Sequence, residues 1–190
     1  FELPLVPECP PLLLPIATDR ISTHNVVHKS LIPRKGEMLT ALTHFWAGVL
    51  ADEGINTHVF ASGNMIYRYV PKEWLSQLEP NIHLRALIVR KLDIIQREFV
   101  VRGYLAGSLW KKHYSKGLDP YGRNLPPGLV KMTRFDVPLL TPTEKSDTDP
   151  PLLLADVERE FPEACALALK FFGVMEGVLG QDGVAVIDTK

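Results

Sequence analysis

The chain has 190 residues and a mass of 21.3 kDa, enough for one good core or two small lobes sharing an interface. Its hydrophobic (46%) and charged (23%) fractions are ordinary globular values and exclude a disordered chain. With 21 basic and 22 acidic residues the formal net charge is −1, so no overall field gathers nucleic acid or an anionic membrane, and any anion site has to be local.

The opening stretch "FELPLVPECPPLLLPIATDRIS" carries Pro4, Pro7, Pro10, Pro11 and Pro15, too many for regular structure, around a short apolar run, "LLLPIA", that suits an edge or buried strand. "TDRIS" reads as its polar end. After the turn-like "IPRKGE", Met38, Leu42, Phe45 or Trp46, and Val49 or Leu50 recur at helical spacing up to Gly54, which predicts an amphipathic helix buried along that stripe. Residues 55 to 70 are ambiguous. "RALIVRKL" and "IQREFVVRGY" read as strands on either side of a turn near Asp93, and "SLWKKHYSKG" as a short helix with Ser108 as N-cap and Gly117 past its end. Residues 118 to 148, rich in Pro, Gly, Thr and Asp, read as a long ordered loop. "PEACALALKFFGVMEGVLG" predicts a second long helix with Leu167, Phe171, Val174 or Met175, and Val178 inward, followed by the turn "QDG" and the strand "VAVID".

Cys9 and Cys165 are far apart and in no CxxC or Cys/His ligand spacing, so neither a disulfide framework nor structural zinc is expected, and a reducing cytoplasm fits best. No run approaches the roughly 18 apolar residues of a membrane span, and no secretory signal is expected. The chain begins at Phe1 and stops at "VAVIDTK", so further sequence is expected on both sides.

Chemistry concentrates in "VRGYLAGSLWKKH", where Ser108 at a helix start, Gly103 and Gly107 for close backbone approach, and Arg102 for a charge-assisted fork would together cradle a monophosphate. From this segment alone, a capped helix with a solvent-facing arginine serves equally well. Asp188 and Lys190, two apart at a strand end, share a face that could hold a metal-bound nucleotide or simply end a strand. Asp19, Arg20 and Ser22 carry the same ambiguity, and "LTPTEKSDTD" is either a closing loop or a solvated one. The six histidines form no metal-ligand spacing. His44 is expected on the polar side of the first helix and His113 at the surface, neither suited to act as a general base. There is no Walker A sequence, no GxGxxG after a strand, no GxSxG and no kinase catalytic loop.

Taken together, "IATDRIS", "IPRKGEMLTALTHFW", "VVRGYLAGSLWKKH", "LPPGL", "LTPTEKSD" and "VIDTK" resemble, in order and approximate spacing, the phosphoribosylaminoimidazole-succinocarboxamide synthase (SAICAR synthetase) family of purine biosynthesis, from about Leu12 to Lys190. The resemblance implies a two-lobed α+β fold, with an N-terminal antiparallel sheet lobe over residues 1–92 on the nucleotide side, an α/β lobe over 93–190 on the ribonucleotide side, and a cleft between them. It implies an ATP- and Mg2+-dependent ligase joining L-aspartate to the carboxylate of carboxyaminoimidazole ribonucleotide through an acyl phosphate, with small-molecule partners, no nucleic acid or membrane, and room for a homo-oligomer.

By the same resemblance Arg102 and Ser108 hold the 5′-phosphate, while Asp19, Ser22 and Asp147 contact substrate. Lys91, Asp93 and Glu98 belong to the adenine-facing hinge. Lys145 closes on the reacting groups, Asp188 and Lys190 flank the metal and substrate, and Asp188 is the metal ligand. The chain departs from the family pattern in four places. The glycine-rich, lysine-bearing hairpin and the later metal-binding segment fall outside residues 1–190, Asn25 stands where the family has Asp, and "TEKSDTDP" lacks the His-Asp pair after its lysine. We expect a fragment of a complete ligase. The alternatives are a reduced relative that binds a phosphoribonucleotide without ligase activity, and a kinase-like phosphotransferase.

Overall fold

A computed structural model describes residues 1–3, 11–23 and 26–190, so Cys9, His24 and Asn25 lie outside the described residues. The chain divides into two compact units, Phe1–Asp93 and Ile94–Lys190. Every strand ladder is antiparallel, which together with the helices makes an α+β fold. Among the described residues no helix is long and apolar enough to cross a membrane.

In the first unit the run "LLLPIA" supplies β1 (Leu12–Leu13) before Pro15 ends the ladder. The hairpin β2 (Arg20–Thr23) and β3 (Val26–Leu31) follows, with every residue of β3 exposed. Then come α1 (Lys35–Asp52), β4 (Val59–Ala61), the short α2 (Lys72–Leu75) and β5 (Ile88–Arg90). β5 lies between β1 and β4, with Leu12 opposite Arg90 and Val59 opposite Val89. The core gathers Leu3, Leu12, Leu14, Ile66, Val70, Ile82, Ala86 and Ile88.

Helix α1 forms where its sequence predicts, but its buried face is turned away from most of the expected stripe, of which Leu50 is buried and Trp46 and Val49 are half-buried. The expected apolar stripe of Met38, Leu42 and Phe45 is exposed, whereas Gly36, Thr40 and Leu50 are buried and Thr43 and Ala47 half-buried. Those five positions also keep helical spacing, and the small side chains of Gly36, Thr40, Thr43 and Ala47 let the helix approach closely: a Cβ on Gly36 would stand 2.7 Å from the Ala17 carbonyl oxygen. Arg34 precedes the helix in a left-handed conformation, and the carboxylate of Asp19 accepts the amides of Arg34 (3.1 Å) and Gly36 (2.9 Å). The first turn is thereby capped from another strand end.

The second unit places β7 (Val101–Tyr104) at the centre of a sheet, with β8 (Arg134–Leu140) on one side and β10 (Asp188–Thr189) on the other; β6 (Arg97–Glu98) pairs separately with β9 (Thr143–Glu144). Helices α3 (Leu154–Glu160) and α4 (Pro162–Gly180) pack with it around Val101, Leu140, Leu154, Val157, Cys165, Phe172 and Val186. Three expectations change here. The stretch read as one loop contains β8 and β9, and Pro138 is tolerated because β8 is an edge strand. The stretch read as one strand, "IQREFVVRGY", breaks between Glu98 and Val101, so its halves pair with different partners. Helix α4 buries Cys165 and Phe172 with Ala168, Met175 and Leu179 half-buried beside them, so of the expected stripe Met175 packs against this core while Leu167 is exposed, because the helix is apolar nearly all round and its hydropathy does not fix a face.

Gly103 is explained by this packing. A Cβ there would stand 2.8 Å from the Phe172 ring and 3.0 Å from the Val186 carbonyl oxygen, so only hydrogen fits between β7 and α4.

Candidate functional site

Strand alternation buries Val101 in the core and puts Arg102 on the other face of β7. The register sets Asp188 of β10 directly opposite, so an ion pair between residues 86 apart in sequence follows from strand pairing. The Arg102 side chain is only 6% exposed. Its Nε donates to Thr141 Oγ1 (3.0 Å), Nη1 to Asp188 Oδ2 (3.0 Å) and Nη2 to Ser108 Oγ (3.1 Å), and Thr141 in turn donates to the Val100 carbonyl (3.2 Å). A guanidinium has five N–H donors. Three are used, leaving one on each terminal nitrogen, the fork that suits two oxygens of one phosphate or carboxylate.

That fork lies on the wall of a cavity of about 480 Å³, which Ser108, Gly107, Glu98, Asp147, Asp188 and Lys190 also line. Gly107 has a left-handed backbone (φ 56°), and a Cβ there would stand 3.5 Å from Arg102 Nη1. The glycine therefore both makes the turn and keeps the approach to the guanidinium open.

A second cluster on the same cavity is centred on Glu98, whose side chain is 11% exposed. Its Oε2 accepts from Thr143 Oγ1 (3.0 Å) and from Lys190 Nζ (2.5 Å), and Lys145 Nζ lies 3.7 Å from Oε1. Lys190 also reaches Asp149 at 3.6 Å. The hydrogen bond to Glu98, ahead of the charges of Glu98 and Asp149, raises the Lys190 amine above its ordinary value. Two of the three lysines that the sequence singled out, Lys145 and Lys190, are thus gathered by one carboxylate.

The placement of the expected site residues is uneven. Arg102, Ser108, Asp147, Asp188, Lys190 and Glu98 line this cavity, and Lys145 reaches it through Glu98. Glu98 turns its carboxylate to the lysines, while its backbone pairs with Thr143. Ser108 is not a cap: it lies inside the helical turn with φ −66° and no capping bond, ahead of a π-helical turn Leu109–His113, and its hydroxyl is held by Arg102. The Gly103 amide pairs with the Ile187 carbonyl in the sheet (3.0 Å), so this glycine serves packing and not an anion.

In the first unit Lys91 pairs with Glu2, Asp93 lines a recess with those two residues, and Asp19 is engaged by the start of α1 with Arg85 3.8 Å away. Ser22 is exposed on the β2–β3 hairpin. Among the described residues no three His, Cys, Asp or Glu side chains converge as a metal cluster.

Two residues of the cavity were missed. His113, expected at the surface, is half-buried and lines it, and burial, followed by the charges of Lys112, Arg102 and Lys116, lowers its imidazole below the ordinary value of 6.5. Tyr121 comes from the stretch read as loop and is 2% exposed, its ring edge-on to His113 at 5.6 Å. Its neighbours "DPYG" mark a turn and carry no pattern that separates a buried tyrosine from a solvated one.

A two-unit antiparallel α+β fold with an arginine-centred polar cavity is the class to which the geometry leads. The family model for SAICAR synthetase matches residues 7–190, and the chain belongs to that family. It is 33% identical to the phosphoribosylaminoimidazole-succinocarboxamide synthase of Saccharomyces cerevisiae over 195 residues, covering 94% of this chain and 61% of the relative. The enzyme of that name from Pasteurella multocida is also 33% identical, with 94% and 62% covered. The structure of the S. cerevisiae SAICAR synthase complexed with SAICAR superimposes with a TM-score of 0.78 at 31% identity, over 99% of this chain and 67% of that one. The chain thus spans about three-fifths of the length of these curated relatives.

Proposed function

We propose that the chain carries the ribonucleotide-binding part of an ATP-dependent ligase that joins L-aspartate to the carboxylate of carboxyaminoimidazole ribonucleotide, giving SAICAR, ADP and phosphate. The observation that carries this reading is the convergence of Arg102, Ser108, Asp188, Lys190, Glu98 and Asp147 on one cavity, in a chain of this family. The free N–H pair of Arg102 and the Ser108 hydroxyl take the 5′-phosphate. Because Arg102 is buried and held on three sides, no side-chain ordering opposes binding. Lys190 and Lys145, gathered beside Glu98, face the carboxylate that is activated and the aspartate that attacks it, where fixed cations stabilise charge developing in phosphoryl and acyl transfer.

ATP would supply the phosphoryl group that converts the carboxylate into an acyl phosphate, with ADP released, and attack of the aspartate amine would then expel phosphate as the amide bond forms. Mg2+ usually binds through one or two carboxylates together with substrate phosphates. Asp188 suits that arrangement: one of its oxygens is held by Arg102, and its side chain is 47% exposed.

The test is direct. Protein of residues 1–190, joined to the hairpin and metal-binding segment that a family member carries outside this range and supplied with ATP, Mg2+, L-aspartate and the ribonucleotide, should form ADP and SAICAR in equal amounts, followed by chromatography. Binding of the ribonucleotide without turnover would instead support the non-catalytic binding module, and ADP formation without aspartate the phosphotransferase. Failure to bind the ribonucleotide at all would refute the reading.

A further inference from the structure

Tyr121 is a polar side chain of the cavity to which the ribonucleotide reading gives no role. Tyr121 is 2% exposed, with its ring packed against Leu105 and Leu109 and set edge-on to His113 at 84°. Those contacts would be satisfied equally by phenylalanine. The hydroxyl receives no hydrogen bond and gives none among the described residues, yet Tyr121 lines the cavity and its phenol lies within the field of the Arg102 guanidinium. The hydroxyl itself stays in contact with the solvent of the cavity, so it is the wet end of a buried ring, where a ligand oxygen can take the place of water.

From this we infer that Tyr121 is a substrate-contacting residue, whose hydroxyl donates to an oxygen of the phosphate held by Arg102 and Ser108, and which makes the cavity selective for the phosphorylated over the dephosphorylated ribonucleoside. The inference rests on the ribonucleotide reading above and deepens it. An anion is the partner that fits. A guanidinium with unused N–H groups and a phenol with no protein partner among the described residues, both on the wall of one cavity, suit an acceptor bound between them, and Ser108 and Lys112 add donors on the same wall. Packing against Leu105, Leu109 and His113 fixes the ring, so the hydroxyl is aimed before the ligand arrives.

The experiment is calorimetric titration of the 190-residue protein with SAICAR and, separately, with its 5′-dephosphorylated nucleoside, for the unmodified chain, Tyr121→Phe and Arg102→Ala. Tyr121→Phe should weaken SAICAR binding by about tenfold or more, as expected for a lost bond to a charged group. It should leave the nucleoside affinity unchanged and Tm unchanged or slightly raised. An unchanged SAICAR affinity, or an equal loss for both ligands, overturns the role of the hydroxyl, as does a fall in Tm with no loss of phosphate preference. If Arg102→Ala also leaves the preference intact, or the unmodified chain binds neither ligand, the ribonucleotide reading itself fails and this inference with it. Loss of preference in Arg102→Ala but not in Tyr121→Phe isolates the failure to Tyr121.

Discussion

Replacing Arg102 by alanine separates binding from folding, because the structure assigns the two effects different sizes. On the folding side the substitution removes three hydrogen bonds, but none of the partners is left stranded in a dry interior. Thr141 still donates to the Val100 carbonyl, Ser108 opens onto the cavity, and Asp188 is half-exposed and can rehydrate. The cost to stability is therefore about 1–3 kcal/mol, the scale of ordinary hydrogen bonds and lost packing. On the binding side the loss is a desolvated cation that meets the phosphate through a prepared fork, about 2–5 kcal/mol, or roughly 30-fold to 5,000-fold in Kd. Arg102→Lys keeps the charge but cannot bridge Thr141, Asp188 and Ser108 together, so it should recover only part of the affinity. Urea melts give the first quantity and calorimetric titration with SAICAR the second. A binding loss below about 1 kcal/mol would place the guanidinium outside the recognition event.

Three further outcomes follow from the same geometry. Phe172→Ala should destabilise the second unit by about 3–5 kcal/mol, and Gly103→Ala by about 1–3 kcal/mol through overpacking against that ring and the Val186 carbonyl; chemical denaturation at constant m-value checks both. Glu98→Gln should let the Lys190 amine titrate closer to its ordinary 10.5, since the bond to Glu98 is the main cause of its rise, and lysine Nζ NMR would show it. His113, lowered by burial and flanking cations, disfavours its proton in the folded state, so stability should be full above about 6.5 and decline as pH falls through the lower folded value. Melting at pH 7.5 and 5.5 should show a smaller pH difference for His113→Gln than for the unmodified chain.

How far these features are legible in sequence depends on the interaction that sets them. Helix α1 and helix α4 are visible as periodic segments, since local spacing decides their existence. Their inward faces are not, for two different reasons. In α1 a stripe of small residues wins over a stripe of large apolar ones because it permits contact with the Ala17 backbone. In α4 almost every side is apolar, so tertiary contact alone selects Phe172. Strand β8 is hidden by Pro138 and its exposed residues, which mimic loop composition until an edge position makes them acceptable.

The site shows the same division between local and distant causes. Arg102, Ser108, Asp188 and Lys190 are legible as residues because they sit in recognisable stretches, but their partnerships are not, since the strand register that joins Arg102 to Asp188 is a property of the folded sheet. Charge counting explains why composition gives so little warning. The cavity wall carries Arg102, Lys112 and Lys190 against Glu98, Asp147, Asp149 and Asp188, with Lys145 paired to Glu98 from beside it, so the site is as nearly neutral as the whole chain. A near-neutral wall cannot collect an anion by its field. Selectivity must then come from where individual N–H and O–H groups stand at short range, and that is why one buried guanidinium with two unspent donors, and one phenol without a protein partner among the described residues, matter more to recognition than any excess of basic residues could.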